Sequence, residues 1–368
     1  MSKILLIGNS GLRKNQIDGQ TTKVRLYLKK IKDEGYDVNF VDLELFFKKP
    51  LSTLIAIKKG IKTCDRIVLL TATRGCKILI PYINFHNKKH NKPFVLPLIG
   101  TSVLHYSFDK LSIEERKDFI LNKNYELKKP KKWLIKELKK ISVILPETDL
   151  ITSIFKEYYG INNVFTLTNF REISQRSSNV KLSDDKFLHL VFISRVQEKK
   201  GVFDLIHAIN SINKKKKCIS LDIYGEKFFS KNEENLFDSL LLNNACIQYK
   251  GILKNNEVID TIKKYDLLVF PTKYLGEGTP GIIVESLIAG VPVLSSSFYQ
   301  YKFLLKENFD SIIYEQFDCN DLKNKLIFAI NNKSLINKMK NNALESGNIY
   351  SYSFNRDNFI KFVCGKKD

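Results

Sequence analysis

A chain of 368 residues is too long for one typical domain and suits two of roughly 150–200 residues. Its 43% hydrophobic and 11% aromatic content supplies two packed cores and excludes a disordered chain. The formal charge of +21 is unevenly placed: residues 1–170 hold 31 Lys/Arg against 16 Asp/Glu, a balance of +15, and residues 171–368 hold 29 against 23, only +6, so the first half is expected to meet something anionic.

The N-terminal Lys3–Gly8 is a short buried-type strand. Its apolar run of four residues, Ile4 to Ile7, is too short for a signal peptide, and no run approaches the ~18 apolar residues of a membrane span. A cytoplasmic location is expected. After the loop Asn9–Gly19, Val24, Leu28 and Ile31 recur at helical spacing within Gln20–Glu34. Strands follow at Asp37–Val41, Arg66–Thr71 and Pro93–Ile99, then a helix at Asp149–Tyr159 and a strand at Asn163–Leu167. The polar stretch Ile173–Asp185 reads as an interdomain linker. The pattern then restarts with strand Leu188–Ser194, helix Val202–Ile212, strand Ser220–Tyr224 and helix Glu233–Leu242. Strand Ile247–Tyr249, helix Asn256–Lys263, strand Leu267–Pro271, helix Gly281–Ala289 and strand Pro292–Leu294 complete it. Strands alternating with helices imply parallel sheet covered on both faces. Two such units predict an α/β chain of two Rossmann-like domains facing a central cleft: 1–170, then 171–348, with 349–368 as a last helix. Ligands in such sheets sit beyond the carboxyl ends of the strands. The six cysteines (Cys64, Cys76, Cys218, Cys246, Cys319, Cys364) lie far apart without a C-x-x-C pair and read as free thiols rather than a disulfide or metal framework.

The most informative stretch runs from Pro271 to Pro292. A strand ends, a loop with three glycines follows, and a helix begins near Gly281. Backbone N–H groups at a helix start attract anions, and glycines let a ligand approach the backbone. Glu277 on the loop and Glu285 on the helix, eight residues apart, could address the two ends of one elongated ligand. Read alone, the stretch is also a turn leading into a helix N-terminus that tolerates acids. A second group is Phe192-Ile-Ser-Arg195-Val-Gln-Glu-Lys-Lys200-Gly201. Here Arg195 ends a strand and Lys200 precedes the next helix, so both cations can face a diphosphate; a solvated surface pair is the plain alternative. Lys199 reads as a solvated neighbour.

Glu277-x7-Glu285, followed by Ser-Leu-Ile-Ala-Gly-Val-Pro-Val, resembles the signature of family 4 retaining glycosyltransferases of the GT-B fold. Arg195 to Gly201 resembles that family's Gly-Arg-x4-Lys-Gly element, with Ser194 replacing the usual glycine. The resemblance implies that Glu277 lies by the donor sugar, that Glu285 hydrogen-bonds the nucleotide ribose, and that Arg195 and Lys200 stabilise the departing diphosphate. It also implies that Gly278, Thr279, Gly281, Ile282 and Ile283 run along the sugar and diphosphate. Thr279 departs from the aromatic residue common there. Asp18-Gly19-Gln20-Thr21 resembles the Gly-rich loop after the family's first strand, in bacterial polysaccharide enzymes in particular, which gives Gly19 and Gln20 a donor or acceptor contact. Lys250-Gly251-Ile252-Leu253 resembles the base-side loop and brings in Leu253. Thr168-Asn169-Phe170 resembles the element before the linker. Gly100 stands where many relatives carry a functional histidine, and the later His105 reads as structural. Helical intervals over Tyr350–Phe362 suit the family's last helix, which crosses back to the first domain.

The implied reaction is retaining transfer of a sugar from a nucleotide-diphosphate sugar, UDP-sugar favoured, to a saccharide acceptor in cell-envelope polysaccharide (capsule, O-antigen) assembly. No Asp-x-Asp stands at a suitable loop, so no metal and no other cofactor is expected. The basic stretch Lys128–Lys140 with Trp133 could lie on an anionic membrane, which would suit a lipid-linked acceptor; alternatively it is a surface helix packing Trp133, Ile135 and Leu138 inward. A nucleic-acid partner is not expected, because no binding module or aromatic platform accompanies the charge. The rival reading is a GT-B nucleotide-sugar-binding protein or epimerase without transferase activity.

Overall fold

The computed structural model of the chain describes residues 2–13, 18–100, 132–173, 187–215, 217–242, 244–274 and 277–365. Most of the expected linker, as well as His105 and Lys128 to Lys131, lies outside the described residues. The chain divides into two compact units, one of Met1–Asn169 with Ser353–Asp368 and one of Phe170–Tyr352. Each is built on a parallel sheet and is Rossmann-like.

In the first unit five strands, β1 (Lys3–Gly8), β2 (Asp37–Asp42), β3 (Arg66–Leu70), β4 (Phe94–Pro97) and β5 (Val143–Leu145), lie in the order β2-β1-β3-β4-β5. Ile4 to Ile7 are fully buried, as expected of a strand covered on both faces. Helix α1 (Gly19–Asp33) joins β1 to β2. Helices α2 (Pro50–Thr63), α3 (Thr73–Asn87) and α4 (Lys132–Leu138) follow β2, β3 and β4. Right-handed crossovers place α1 on one face of the sheet and α2, α3 and α4 together on the other, because the chain steps one way from β1 to β2 and the opposite way thereafter. Helix α5 (Asp149–Ser153) ends in a π turn over Ile154–Tyr158. The segment expected as strand Asn163–Leu167 makes only an isolated bridge, Ile144↔Val164, beside β5.

The second unit has six strands: β6 (Leu188–Ile193), β7 (Ile219–Tyr224), β8 (Ile247–Gly251), β9 (Leu267–Phe270), β10 (Val293–Ser296) and β11 (Ser311–Tyr314). Their order is β11-β10-β9-β6-β7-β8, with every pairing parallel. Alternation along β6 and β9 divides the core: Leu188, Leu190, Phe192, Leu267 and Val269 enter one cluster, Val191, Leu268 and Phe270 the other. Helices α6 (Val202–Asn213), α7 (Lys231–Leu241), α8 (Val258–Ile262), α9 (Gly281–Ala289), α10 (Cys319–Asn331) and α11 (Lys333–Gly347) cover the sheet. The expected helix Asn256–Lys263 begins as a 3-10 turn, Asn255–Glu257. Helix α12 (Tyr352–Phe359) and the π turn Ile360–Cys364 occupy the range expected to be helical at the C-terminus. There Phe359 meets Tyr27 of α1 edge-on, ring centroids 5.1 Å apart. All six cysteines are free; Cys64, Cys76 and Cys364 are buried.

Candidate functional site

In the second sheet the chain steps from β6 through β7 to β8, then returns to the other side of β6 for β9, β10 and β11. The order therefore reverses between β6 and β9, the topological switch where a parallel α/β sheet opens a crevice beyond its strand ends. Two segments meet there, residues 194–201 after β6 and residues 271–274 after β9. The Lys273 N–H donates to the Lys199 carbonyl at 3.0 Å. Gly201 has φ 74°, and a Cβ there would collide with the Pro271 carbonyl, so the position needs glycine both for its conformation and for the approach of the two segments.

This approach places Lys200 against Glu277. The Lys200 ammonium contacts Glu277 Oε1, and the Thr272 hydroxyl donates to the same oxygen at 2.8 Å. The Lys200 Nζ stands 5.3 Å from the Tyr274 ring centroid and 5.9 Å from that of Phe270, a setting that favours a cation. Glu277 is buried, and its carbonyl accepts from Gln300 Nε2 at 3.2 Å. The Thr272 carbonyl in turn accepts from Ser296 Oγ (2.8 Å) and Gln316 Nε2 (2.9 Å), so a buried polar network from β10 and beyond holds the loop. Outside the pair, Lys273 reaches Glu198 at 2.5 Å and Asp204 at 2.8 Å. Burial alone would lower the Lys273 pKa, but Asp204 and Glu198 together raise it above its ordinary value.

Glu285 lies on α9, and its Oε1 accepts from Arg171 Nε at 2.8 Å. A Cβ on Gly281 would collide with the Arg171 guanidinium, so glycine at the helix start leaves room for that side chain. The Arg171 backbone is pinned by its N–H to the Tyr350 carbonyl (2.7 Å) and by its carbonyl to the Tyr352 N–H (2.8 Å). Arg171 stands outside every motif legible in the sequence. Its only signal there is its place directly after Thr168-Asn169-Phe170. Arg195 is exposed at the end of β6, its guanidinium 5.3 Å from the Phe228 ring centroid.

The remaining positions differ in what they offer. Gly278 and Ile282 are half-buried and Thr279 is buried. Ile283 is fully buried in the core, and its N–H closes onto the Pro280 carbonyl at 3.1 Å. Leu253 packs against the small cluster of Val258, Ile262, Ala289 and Val291, while its neighbour Ile252 is exposed.

In the first unit Asp18-Gly19-Gln20-Thr21 is a capping box. Asp18 Oδ1 accepts the Thr21 N–H at 2.8 Å, and Thr21 Oγ1 accepts the Asp18 N–H at 3.1 Å. Gly19 is exposed with nothing within 4 Å of a Cβ, and Gln20 is half-buried. One turn further, Lys23 donates to the Leu98 carbonyl (2.7 Å) and to Glu147 (2.5 Å), with both side chains buried. This pair was not legible, since a lysine and a glutamate 124 positions apart share no local pattern. Among the described residues no three His, Cys, Asp or Glu side chains are placed to hold a metal ion, and no helix is long and apolar enough to cross a membrane.

Residues 174–346 match the family model described as glycosyl transferases group 1, a range that covers most of the second unit. The chain is 24% identical over 221 residues to the poly(ribitol-phosphate) alpha-N-acetylglucosaminyltransferase of Staphylococcus aureus, an alignment spanning 60% of this chain and 43% of that protein. It is 27% identical over 163 residues to an uncharacterised glycosyltransferase of Methanocaldococcus jannaschii, spanning 44% of each. The matches thus span less than half the length of these two relatives. Among solved structures, Anabaena HepE in complex with UDP-glucose superimposes with a TM-score of 0.70 at 14% identity, covering all of both chains. That likeness establishes the fold: two Rossmann-like units in one chain, the GT-B fold.

Proposed function

We propose that this chain, a member of the group 1 glycosyl transferases through residues 174–346, moves a sugar from a nucleotide-diphosphate sugar to a saccharide acceptor. The observation that carries the reading is the contact of Lys200 with buried Glu277 at the topological switch of the unit that the family model matches. A cation held beside a carboxylate at such a crevice suits a ligand with an anionic diphosphate and a hydroxyl-rich sugar. Lys200 and Arg195 would stabilise charge on the departing diphosphate, and Glu277 would orient the sugar. Arg171, bonded to Glu285 Oε1, would fix that carboxylate so that Oε2 meets a ribose hydroxyl. Because the Ile283 N–H already serves Pro280, anion contact at the start of α9 would fall to the N–H groups of Gly281 and Ile282.

Transfer with retention would proceed on one face of the sugar. The bond from the anomeric carbon to the diphosphate oxygen breaks, the acceptor oxygen bonds to that carbon, and the acceptor proton passes to the departing phosphate oxygen. With cationic side chains serving the diphosphate, the reaction would need no metal, so activity should survive a chelator. UDP-glucose is the first donor to test, given the HepE complex. The proposed acceptor is a lipid-linked saccharide of a cell-envelope polymer, met at the cytoplasmic face of an anionic membrane. The Staphylococcus aureus relative, named for a poly(ribitol-phosphate) acceptor, supports the polymer class.

The test is a thermal-shift screen of UDP, UDP-glucose, UDP-N-acetylglucosamine and other nucleotide-sugars, followed by donor hydrolysis on those that bind. Stabilisation by a nucleotide-sugar, with hydrolysis lost in Glu277→Ala, supports the reading. Binding without hydrolysis or transfer would favour a nucleotide-sugar-binding protein, and no stabilisation by any donor would overturn the proposal.

A further inference from the structure

In the first unit, α2, α3 and α4 share one face of the sheet, and their outward sides carry large apolar residues in place of the polar side chains usual there. On α2, Leu51 and Ile55 are 76% and 54% exposed; on α3, Ile78 and Phe85 are 45% and 74%; on α4, Trp133 is 43%. Helical spacing puts Leu51 and Ile55 on one side of α2, followed on the same side by exposed Lys58, Lys59 and Lys62. On α3, Arg74, Ile78 and Phe85 share a side that Lys88 and Lys89 continue. The helices are joined edge to edge. The Tyr82 hydroxyl of α3 donates to the Leu54 carbonyl of α2 at 2.8 Å, and Asn84 of α3 donates to the Glu137 carbonyl of α4 at 3.0 Å. Lys58 lies close enough to His86 to add to the larger effect of burial in lowering that imidazole's pKa, so the cations of α2 reach α3.

Charge decides what such a surface fits. Residues 45–100 hold eleven Lys/Arg and a single acid, Asp65, whose carboxylate accepts the Lys3 N–H at 2.7 Å at the start of β1. A second copy of the same face would meet it with like charge. A nucleic acid offers nothing to Leu51, Ile55 and Ile78. An anionic bilayer offers phosphates to the lysines and acyl chains to the apolar side chains, the pattern of helices that lie in a membrane interface.

We propose that the outer face of α2, α3 and α4 docks this chain on an anionic lipid bilayer, with Leu51, Ile55, Ile78 and Phe85 entering the interface and the flanking lysines on the headgroups. Trp133, the expected membrane residue of the basic stretch, is then one edge of a wider surface rather than its centre. Its partial exposure corrects the alternative in which it packs inward; the residues of α4 that do are Leu134 and Leu138. The inference rests on the membrane-side acceptor reading for its purpose, but vesicle binding needs neither donor nor acceptor, so the two fail separately.

The test is co-sedimentation of the full chain with phosphatidylcholine vesicles, with and without phosphatidylglycerol, alongside the emission of Trp133, the only tryptophan. The expected result is binding only with phosphatidylglycerol, a blue shift of Trp133, and quenching by bromine-labelled acyl chains. Leu51→Ser/Phe85→Ser should weaken binding at least about tenfold, and Lys58→Glu/Lys89→Glu by more than about fivefold per lysine. In both variants the melting temperature and the shift induced by UDP should stay as in the parent. Equal binding to neutral vesicles, an unmoved Trp133 spectrum, or parent-like binding by Leu51→Ser/Phe85→Ser would overturn the proposal. So would self-association in sedimentation that Leu51→Ser/Phe85→Ser abolishes.

Discussion

Each unit holds a Lys–Glu pair beyond the carboxyl end of its sheet, and the two are built differently. Lys23 and Glu147 are closed off, with side-chain exposures of 3% and 5%, and the Leu98 carbonyl takes a further bond from the ammonium. Lys200 and Glu277 are 17% and 10% exposed, Lys200 in a 3-10 turn and Glu277 on a loop, with the rings of Tyr274 and Phe270 beside the cation as that of Tyr27 stands beside Lys23. A closed pair with its hydrogen bonds satisfied ties α1 to the ends of β4 and β5. It adds little net stability over apolar groups of the same shape, yet is costly to break from one side. A pair at a topological switch can instead exchange partners with a ligand. Identical chemistry thus serves position in one unit and, on the proposed reading, turnover in the other.

The sharpest separation comes from deleting the acid of each pair. Glu147→Ala strands Lys23 and should cost about 3–5 kcal/mol in urea unfolding, whereas Lys23→Met/Glu147→Leu should recover most of that loss. If both variants are equally unstable, the contribution of the pair is not electrostatic. Glu277→Ala should leave unfolding within about 1 kcal/mol of the parent, because Lys200 can turn to water, while donor hydrolysis falls about 10²–10³-fold. Preserved hydrolysis would move Glu277 into the same structural class as Glu147. A smaller effect is expected at Gly281. A methyl group there displaces the Arg171 guanidinium, a flexible side chain that can swing away, so Gly281→Ala should melt like the parent but raise the KM for donor roughly tenfold, about the worth of one charge-assisted hydrogen bond. Smallest of all, Asp18→Ala removes the α1 cap and should cost about 1 kcal/mol. A loss of activity beyond that cost would show that the capping loop also meets substrate.

Much of the fold was legible wherever local pattern and punctuation agreed. Strand Lys3–Gly8 and helix Gly281–Ala289 were read with the bounds they have, the first from a run of aliphatic residues, the second from the glycine-containing loop that leads into it. Helices α2 and α3 were missed. Neither has a side-chain N-cap bond; α2 opens on Pro50 as its one start signal, and Pro81 stands inside α3, where a proline signals a break. The apolar residues on their outer sides also blurred the amphipathic period. The stretch Asn163–Leu167 had the composition of a strand but only one bridging partner beside β5.

The sequence by itself determined the alternation of strands and helices, the restart of the α/β pattern after the linker, and the carboxylates and cations that stand after strands. Those features depend on neighbours within a few residues, where spacing and backbone preference act directly. Which cation meets which acid was decided only in the tertiary structure. Lys200 reaches Glu277 across 77 positions and Arg171 reaches Glu285 across 114, distances over which no local period carries information. Strand order, the reversal between β6 and β9, and glycines that admit a carbonyl or a guanidinium bring those partners together.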